Sequence, residues 1–372
     1  MDVKEKVVRI LWIDIAKAYG IILVFYGHFV ERLSGLGYDA AFIQLKFIYS
    51  FHMPLFFIIC GYVYKRNDSS FSSFLKYHLA SRILPVIFFN IWGLSFKIVQ
   101  DFFNHSLNIR SYLVNLLGLV RGYPAFNIVT WFLICLFIVE IIHWFSEKYV
   151  NTFLKLLIYG TLFFMFDWLI SVNKAHFFTS TREIQKSFWF IYQALGAYWF
   201  YRLGTYLKNW GYLSKELPLR LKVKDLFLSL FVVLFTFNLN TGPFNYEILV
   251  VIMALSNYGN SLLFLITAVM GSLFIIFLAK LTPSNKAILF IGQNSLIFLG
   301  LNGLFHHFAN QRLAIWINRF LASSSLSVLI VCSFVTLVSL GVCIPCIVIL
   351  NKFIPQLVGK PKTNGPFLKN LV

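Results

Sequence analysis

Charged residues, and acidic ones above all, are scarce in this chain of 372 residues. Only 12% of the residues are charged, and 14 aspartates and glutamates stand against 32 lysines and arginines. Soluble domains carry about 25% charged residues, whereas 59% of this chain is hydrophobic and 19% is aromatic. The composition excludes an ordinary soluble domain and predicts an all-α, polytopic membrane protein.

Cysteines are few as well, and all five lie within apolar runs. Paired structural disulfides or a zinc site would be unusual in such surroundings. Cys343 and Cys346 form a CxxC motif around Pro345, but no second pair accompanies it. We therefore expect cysteines that pack as small apolar residues, and no metal.

The basic residues give the chain a net charge of +18, yet they lie in short loops between apolar runs. A nucleic-acid-binding surface would instead group them with interleaved aromatics, so we expect no nucleic-acid partner. With the N-terminus inside, 20 of the 32 basic residues fall in inner segments. By the positive-inside rule, both termini face the cytoplasm.

Windows of about 20 mainly apolar residues predict about ten transmembrane helices in the lipid bilayer. These windows form a single transmembrane domain over residues 1–354, followed by a short basic cytoplasmic tail over 355–372. The predicted spans lie near residues 10–29, 45–64, 83–102, 128–146, 154–172, 188–206, 226–240, 259–279, 287–308 and 326–350.

The first span contains three ionisable residues, Asp14, Lys17 and His28. Such residues are costly inside a membrane and indicate a functional site. Lys17 and His28 are 11 residues apart, which on a helix is about three turns and about 16 Å, so they share one stripe. Asp14 precedes Lys17 by three residues, and we expect it to hold Lys17 in an ion pair.

The next two spans add polar residues at matching depths. His52 lies near the outer boundary, at the level of His28, and Arg82 opens the third span on the inner side. Inner cations and an outer histidine suit a donor with an anionic head and a long reactive arm, such as coenzyme A. A neutral histidine can take a proton from a hydroxyl that attacks a thioester.

Further polar side chains are candidates for supporting roles. Glu31, one turn after His28, could orient its imidazole. Trp131 lies at the outer level, where it could stack on a sugar or belong to an aromatic belt. Asn294 and Ser295 lie nearer the cytoplasmic side, where they suit contact with coenzyme A or helix packing.

Acidic residues within later spans need partners. Glu140 and Asp167 lie in the fourth and fifth spans. His143 follows Glu140 by three residues, and we expect these two side chains to form a structural pair.

Five segments resemble the motifs of integral-membrane acyltransferase family 3. They are most similar to its fucose 4-O-acetylase-like branch, which includes polysaccharide O-acetyltransferases. The segments are WIDIAKAYGIILVFYGH at 12–28, FHMPLFFIICGY at 51–62, SRILP at 81–85, TWFLICLF at 130–137 and IGQNSL at 291–296.

This resemblance implies ten spans, acetyl-CoA as the donor, and acetyl transfer to a sugar hydroxyl at the outer face. The family's basic-x10-His motif falls on Lys17 and His28. Its RxxR motif is only half matched, because Leu79 stands three residues before Arg82. A histidine that the family often carries seven residues after the GxNS serine is replaced here by Asn302.

The resulting hypothesis is an O-acetyltransferase of the bacterial cytoplasmic membrane. Its acceptor would be exopolysaccharide, capsule, O-antigen or a lipid-linked precursor. The assigned roles are catalysis for His28, His52 and Glu31; acetyl-CoA binding for Lys17, Arg82, Asn294 and Ser295; acceptor binding for Trp131 and Asn302; and structural support for Asp14.

Two other classes of function stay open. A proton-coupled secondary transporter could use Asp14, Lys17 and His28 as a relay, although the sequence shows no inverted repeat and no paired broken helices. A glycosyltransferase that uses a lipid-linked sugar is the third possibility, but the outer loops offer no acidic pair for metal or base work.

Overall fold

The computed structural model of the protein describes residues 9–65, 70–177, 188–244 and 249–372. Over these ranges the fold is all-α, as predicted, and contains no β-strand. The helices are α1 Leu11–Ser34, α2 Asp39–Tyr49, α3 His52–Val63, α4 Phe71–His78, α5 Leu84–Phe103, α6 Ile109–Val120, α7 Trp131–Ser146, α8 Phe153–Lys155, α9 Thr161–Phe177, α10 Ile191–Trp210, α11 Leu219–Leu239, α12 Ser261–Leu281, α13 Lys286–Gln293, α14 Ser295–Leu304, α15 Asn310–Ile317 and α16 Ser325–Phe353.

Seven helical segments of the described chain are long and apolar enough to cross a membrane. An eighth candidate is the pair 286–293 and 295–317, which bends by 74°. Helices α10 and α11, with 20 and 21 residues, are each about 30 Å long, although they are more polar. The protein is therefore a polytopic membrane protein, and the number of ten spans stays a prediction. The seven are Leu11–Ser34, Asp39–Val63, Phe71–Phe103, Ile128–Ser146, Phe153–Ile170, Ser261–Leu281 and Ser325–Phe353.

Large apolar side chains on the outer faces of several helices support this assignment. Phe103 on α5, Phe231 on α11 and Phe334 on α16 are 74%, 69% and 66% exposed. Soluble proteins seldom leave such extensive apolar surface in water. These faces suit contact with lipid chains, while Phe57 and Tyr201 are fully buried in the protein core.

The second span is interrupted between α2 and α3. The Ser50 hydroxyl donates a hydrogen bond to the Phe47 carbonyl at 2.6 Å, which closes α2. Pro54 lies in the first turn of α3, where a missing backbone N–H costs nothing. The interruption makes His52 the first residue of a new helix.

The ninth predicted span is bent at Asn294, between α13 and α14. Gly292 contacts α1 so closely that a Cβ there would lie 1.8 Å from the Asp14 carbonyl oxygen. Only glycine allows this approach, because the contact is with backbone that cannot rotate away. The contact and the bend together place α14 beside the half of α1 that contains His28.

The C-terminal segment, residues 355–372, folds back onto the helices. It begins with a 3₁₀ turn, Pro355–Val358, packed against α5 and α16. The Gln356 amide donates to the carbonyls of Thr363 and Leu368, both at 2.6 Å. The tail thus packs against the helices directly after the end of α16, and the domain boundary at residue 354 stays a prediction.

We expect Gly292→Ala to lower the unfolding free energy by about 2 kcal/mol, because the new methyl group meets the α1 backbone. Gly341→Ala is the matched control, since a Cβ at Gly341 in α16 meets nothing within 4 Å and alanine is the better helix former by about 1 kcal/mol. Thermal unfolding in detergent measures both. Equal midpoints for the two variants would contradict the close packing of α1 on α13.

Candidate active site

His28 and His52 line one cavity, which we call the histidine cavity. Its volume is about 300 Å³, at the lower end of ordinary ligand pockets. The wall combines titratable and aromatic groups, as a site for a polar substrate requires. Its polar and aromatic residues include His28, Glu31, Tyr49, His52, Trp131 and His306.

His28 is held by Asn302. Its Nδ1 lies 2.5 Å from the Asn302 side-chain oxygen. Because that oxygen can only accept, Nδ1 carries the proton and Nε2 keeps its lone pair. Asn302 is buried, at 1% exposure, and lies behind the imidazole rather than in the cavity wall. In this structure the Asn302 side chain holds His28, and its contact with the acceptor stays a prediction.

His52 has the same tautomer for a different reason. As the first residue of α3 it reaches back to α2, where its Nδ1 donates to the Ile48 carbonyl at 2.9 Å. Its Nε2 is left as an acceptor. The prediction that His28 and His52 lie at similar depth agrees with their shared cavity.

A third imidazole lies beside His28. The His306 ring centroid is 4.7 Å from that of His28, and Arg32 donates to His306 Nε2 at 3.1 Å. His306 belongs to a π-helical turn, Phe305–Ala309, whose extra residue shifts the side chains relative to an α-helix. Nothing in the sequence marked Arg32 as part of the site. In the described ranges no three metal-ligating side chains are grouped to hold an ion.

Glu31 does not orient His28 as predicted, because Asn302 occupies that position. The Glu31 carboxylate instead accepts from the Tyr49 hydroxyl at 2.9 Å. Glu31 and Tyr49 also line a neighbouring cavity of about 350 Å³, which we call the arginine cavity. Arg32 and Gln311 contribute to its wall.

A third cavity, of about 210 Å³, contains Lys17, Arg82 and Ser295. We call it the lysine cavity. Met53 and Leu299 line both this cavity and the histidine cavity, so the two adjoin. Since α1 is continuous from Leu11 to Ser34, the three cavities follow one another along this helix.

Arg82 is held by an ion pair that sequence reasoning missed. Its Nη2 and Nε donate to Glu140 at 2.9 and 3.2 Å, and His78 Nδ1 lies 2.7 Å from the same carboxylate. The predicted pair of Glu140 with His143 is wrong. Neither ring nitrogen of His143 has a hydrogen-bond partner among the described residues, and its ring lies against Tyr64.

Asp14 does not pair with Lys17 as predicted, and Asn294 bonds within the protein, in line with the predicted alternative of helix packing, while its contact with coenzyme A stays a prediction. Asp14 accepts a hydrogen bond from Arg9 Nε at 2.5 Å, and the described residues show no ion pair between Asp14 and Lys17. Asn294 is engaged by the protein itself, because its side-chain oxygen accepts from Asn351 and Lys360 at 2.8 and 3.1 Å. Lys17 thus faces the lysine cavity without the carboxylate expected to hold it.

Trp131 begins α7, and its side chain is 8% exposed. It lines the histidine cavity and packs on Phe190, with ring centroids 5.8 Å apart. Trp131 thus contributes an aromatic ring to the wall of the histidine cavity. Its role in acceptor binding stays a prediction.

Comparison with known proteins identifies a family. A family model described as "Acyltransferase domain" matches residues 10–347. This range contains all three cavities. No curated protein and no solved structure matches the chain.

We expect Glu140→Ala to lower the unfolding free energy by about 2 kcal/mol, because it leaves the partly buried Arg82 without its counter-ion. Glu216→Ala removes the same charge from an exposed loop position and should change stability by less than about 0.5 kcal/mol. The thermal midpoints of both variants in detergent provide the test. If Glu140→Ala left the thermal midpoint unchanged, the ion pair would not contribute to the stability of the protein.

Proposed function

This chain belongs to the acyltransferase domain family, and on that premise we propose that it is an O-acetyltransferase. It moves an acetyl group from cytosolic acetyl-CoA to a hydroxyl of a cell-surface or lipid-linked carbohydrate. The supporting observation is the arrangement along α1: Lys17 and His28 face adjoining cavities, and His28 has an unprotonated Nε2.

The chemistry assigned to His28 is that of a general base. Its Nε2 takes the proton of the acceptor hydroxyl as that oxygen attacks the thioester carbonyl. The carbon–sulfur bond then breaks, and the coenzyme A thiolate leaves with the proton that the imidazolium returns. Asn302 keeps Nδ1 protonated throughout, which is the orienting role that a third group plays in catalytic triads.

Two neighbours of His28 support this step. Glu31 lines the same cavity one turn further along α1, and its negative charge favours the imidazolium that forms. His52 presents a second acceptor nitrogen, which suits a hydrogen bond from a neighbouring sugar hydroxyl.

The donor enters from the lysine cavity. Lys17 supplies positive charge there, Ser295 a hydroxyl, and Arg82 the edge of a guanidinium whose charge is offset by Glu140. From Lys17 to His28 the axial distance is about 16 Å, which is comparable with the length of a pantetheine arm. The arm would pass Met53 and Leu299, whose apolar side chains separate the two cavities.

The acceptor enters from the arginine cavity, which shares Glu31 and Tyr49 with the histidine cavity. Carboxylate, hydroxyl and amide groups in the arginine cavity suit sugar hydroxyls. Trp131, in the adjoining histidine cavity, offers a ring on which a sugar could stack. Exopolysaccharide, capsule, O-antigen or a lipid-linked precursor are the acceptor classes that this entrance suits.

A transporter is less well supported. Its relay would need Asp14 to exchange protons with Lys17, but Asp14 is paired with Arg9. Uptake driven by a pH gradient in proteoliposomes, without acyl transfer, would restore that alternative.

His28→Ala should reduce acetyl transfer from radiolabelled acetyl-CoA by at least about 100-fold, since the general base is lost. His105→Ala, at an exposed loop position, is the matched control and should keep full activity. Both proteins should keep the wild-type thermal midpoint within a few degrees. A fully active His28→Ala would refute the assigned mechanism.

Asn302→Leu should lower kcat by tenfold or more, because Nδ1 loses the group that holds its proton. Asn302→Asp retains an acceptor oxygen and should recover most of kcat. Steady-state kinetics with varied acceptor separates this role from acceptor binding. If Asn302→Leu raised only the KM for the acceptor, Asn302 would be a substrate-binding residue instead.

A further inference from the structure

The C-terminal tail, residues 355–372, lies against Leu296, one of the residues in the wall of the lysine cavity. Gly359 contacts this region so closely that a Cβ would lie 2.7 Å from Leu296 Cδ1 and 3.5 Å from the Ser81 carbonyl oxygen. Leu296 lines the lysine cavity, and Ser81 directly precedes Arg82. The tail is therefore next to the proposed donor entrance.

Lys360 follows Gly359 and points into this junction. Its ammonium donates to the side-chain oxygens of Asn294 at 3.1 Å and Asn351 at 2.5 Å. An ammonium has three N–H groups, so one is left. Both partners are neutral, and within the described ranges no carboxylate forms an ion pair with Lys360.

Other cations lie nearby. Partial burial lowers the pKa of Lys360, and the positive charge of Arg9 lowers it further. Lys362 lies with its ammonium 5.0 Å from the centre of the Tyr77 ring, on the helix that leads to Arg82. Asp14 offsets the charge of Arg9, whereas Lys360 has no carboxylate partner in the described ranges, so a bound anion would stabilise its charged form.

The lysine cavity is too small to hold a whole coenzyme A molecule. Its volume of about 210 Å³ is below the range of about 300–1,000 Å³ of ordinary ligand pockets. A donor with a nucleotide head would therefore leave that head outside the cavity, at the tail. Moreover, Glu140 already neutralises Arg82.

Building on the proposed function, we infer that the tail is part of the donor site: Lys360, assisted by Lys362, binds the phosphate groups of acetyl-CoA while the pantetheine arm enters past Arg82 and Lys17. The ligand chemistry is a phosphate that carries an organic chain. An anionic lipid headgroup shares this chemistry, and the experiment separates the two sources.

The test uses the full-length protein in detergent. Lys360→Gln removes the charge but keeps an amide that can bond to Asn294 and Asn351. It should weaken CoA binding, measured by calorimetry, by about tenfold, as expected for one charge-assisted hydrogen bond. It should leave the KM for S-acetylpantetheine, which has no nucleotide phosphates, unchanged. Lys360→Arg should bind CoA nearly as well as wild type.

The matched control is Lys369→Gln, which removes the same charge from an exposed position of the same tail and should not change CoA affinity. Unchanged CoA binding by Lys360→Gln would overturn the inference, as would an equal loss with S-acetylpantetheine, which would indicate a purely structural tail. Loss of binding to phosphatidylglycerol vesicles with unchanged CoA affinity would assign the lysine to lipid instead. If the wild-type protein neither bound CoA nor transferred acetyl, the proposed function would itself fail.

Discussion

The hydrogen bond between His28 and Asn302 joins residues separated by 274 positions in the sequence, and the site depends on it. It forms because the chain bends at Asn294 and because Gly292 lets α13 lie against the backbone of α1. Without that contact, α14 could not present an amide to the imidazole. The bond leaves Nε2 unprotonated, which is the state that a general base requires.

Charge compensation inside the membrane organises the rest of the site. Glu140 is paired with Arg82, and Asp14 with Arg9. Each pair satisfies groups that would otherwise be costly at these positions. Lys17 and Lys360 have no such carboxylate among the described residues, and both lie at the lysine cavity or its border. In the proposed donor site these two lysines are the cations that lack a carboxylate partner, whereas Arg82 is already paired with Glu140.

Much of this organisation could be predicted from the sequence, but the partners of individual side chains could not. Hydropathy located the helices, and helical spacing put Lys17 and His28 on one stripe that leads from one cavity to the next. The partner predictions used spacing of three residues, which makes contact possible but not necessary. Glu140 had a stronger partner in Arg82, whose two nitrogens bind both carboxylate oxygens at once. Asn302 was singled out because it replaces a histidine of the family's motif, but its contact with His28 could not be inferred from residue order, since the two residues are 274 positions apart.

The sequence by itself determined the class of protein, the approximate spans and the ionisable residues that justify a site, because hydropathy and helical periodicity depend only on the order of residues. Only the tertiary structure decided which groups hold His28 and Arg82, how the three cavities adjoin, and that the tail packs against Leu296 at the wall of the lysine cavity. Hydrogen bonds and ion pairs form between groups that packing brings to about 3 Å. In this protein, packing brings together residues from opposite ends of the chain.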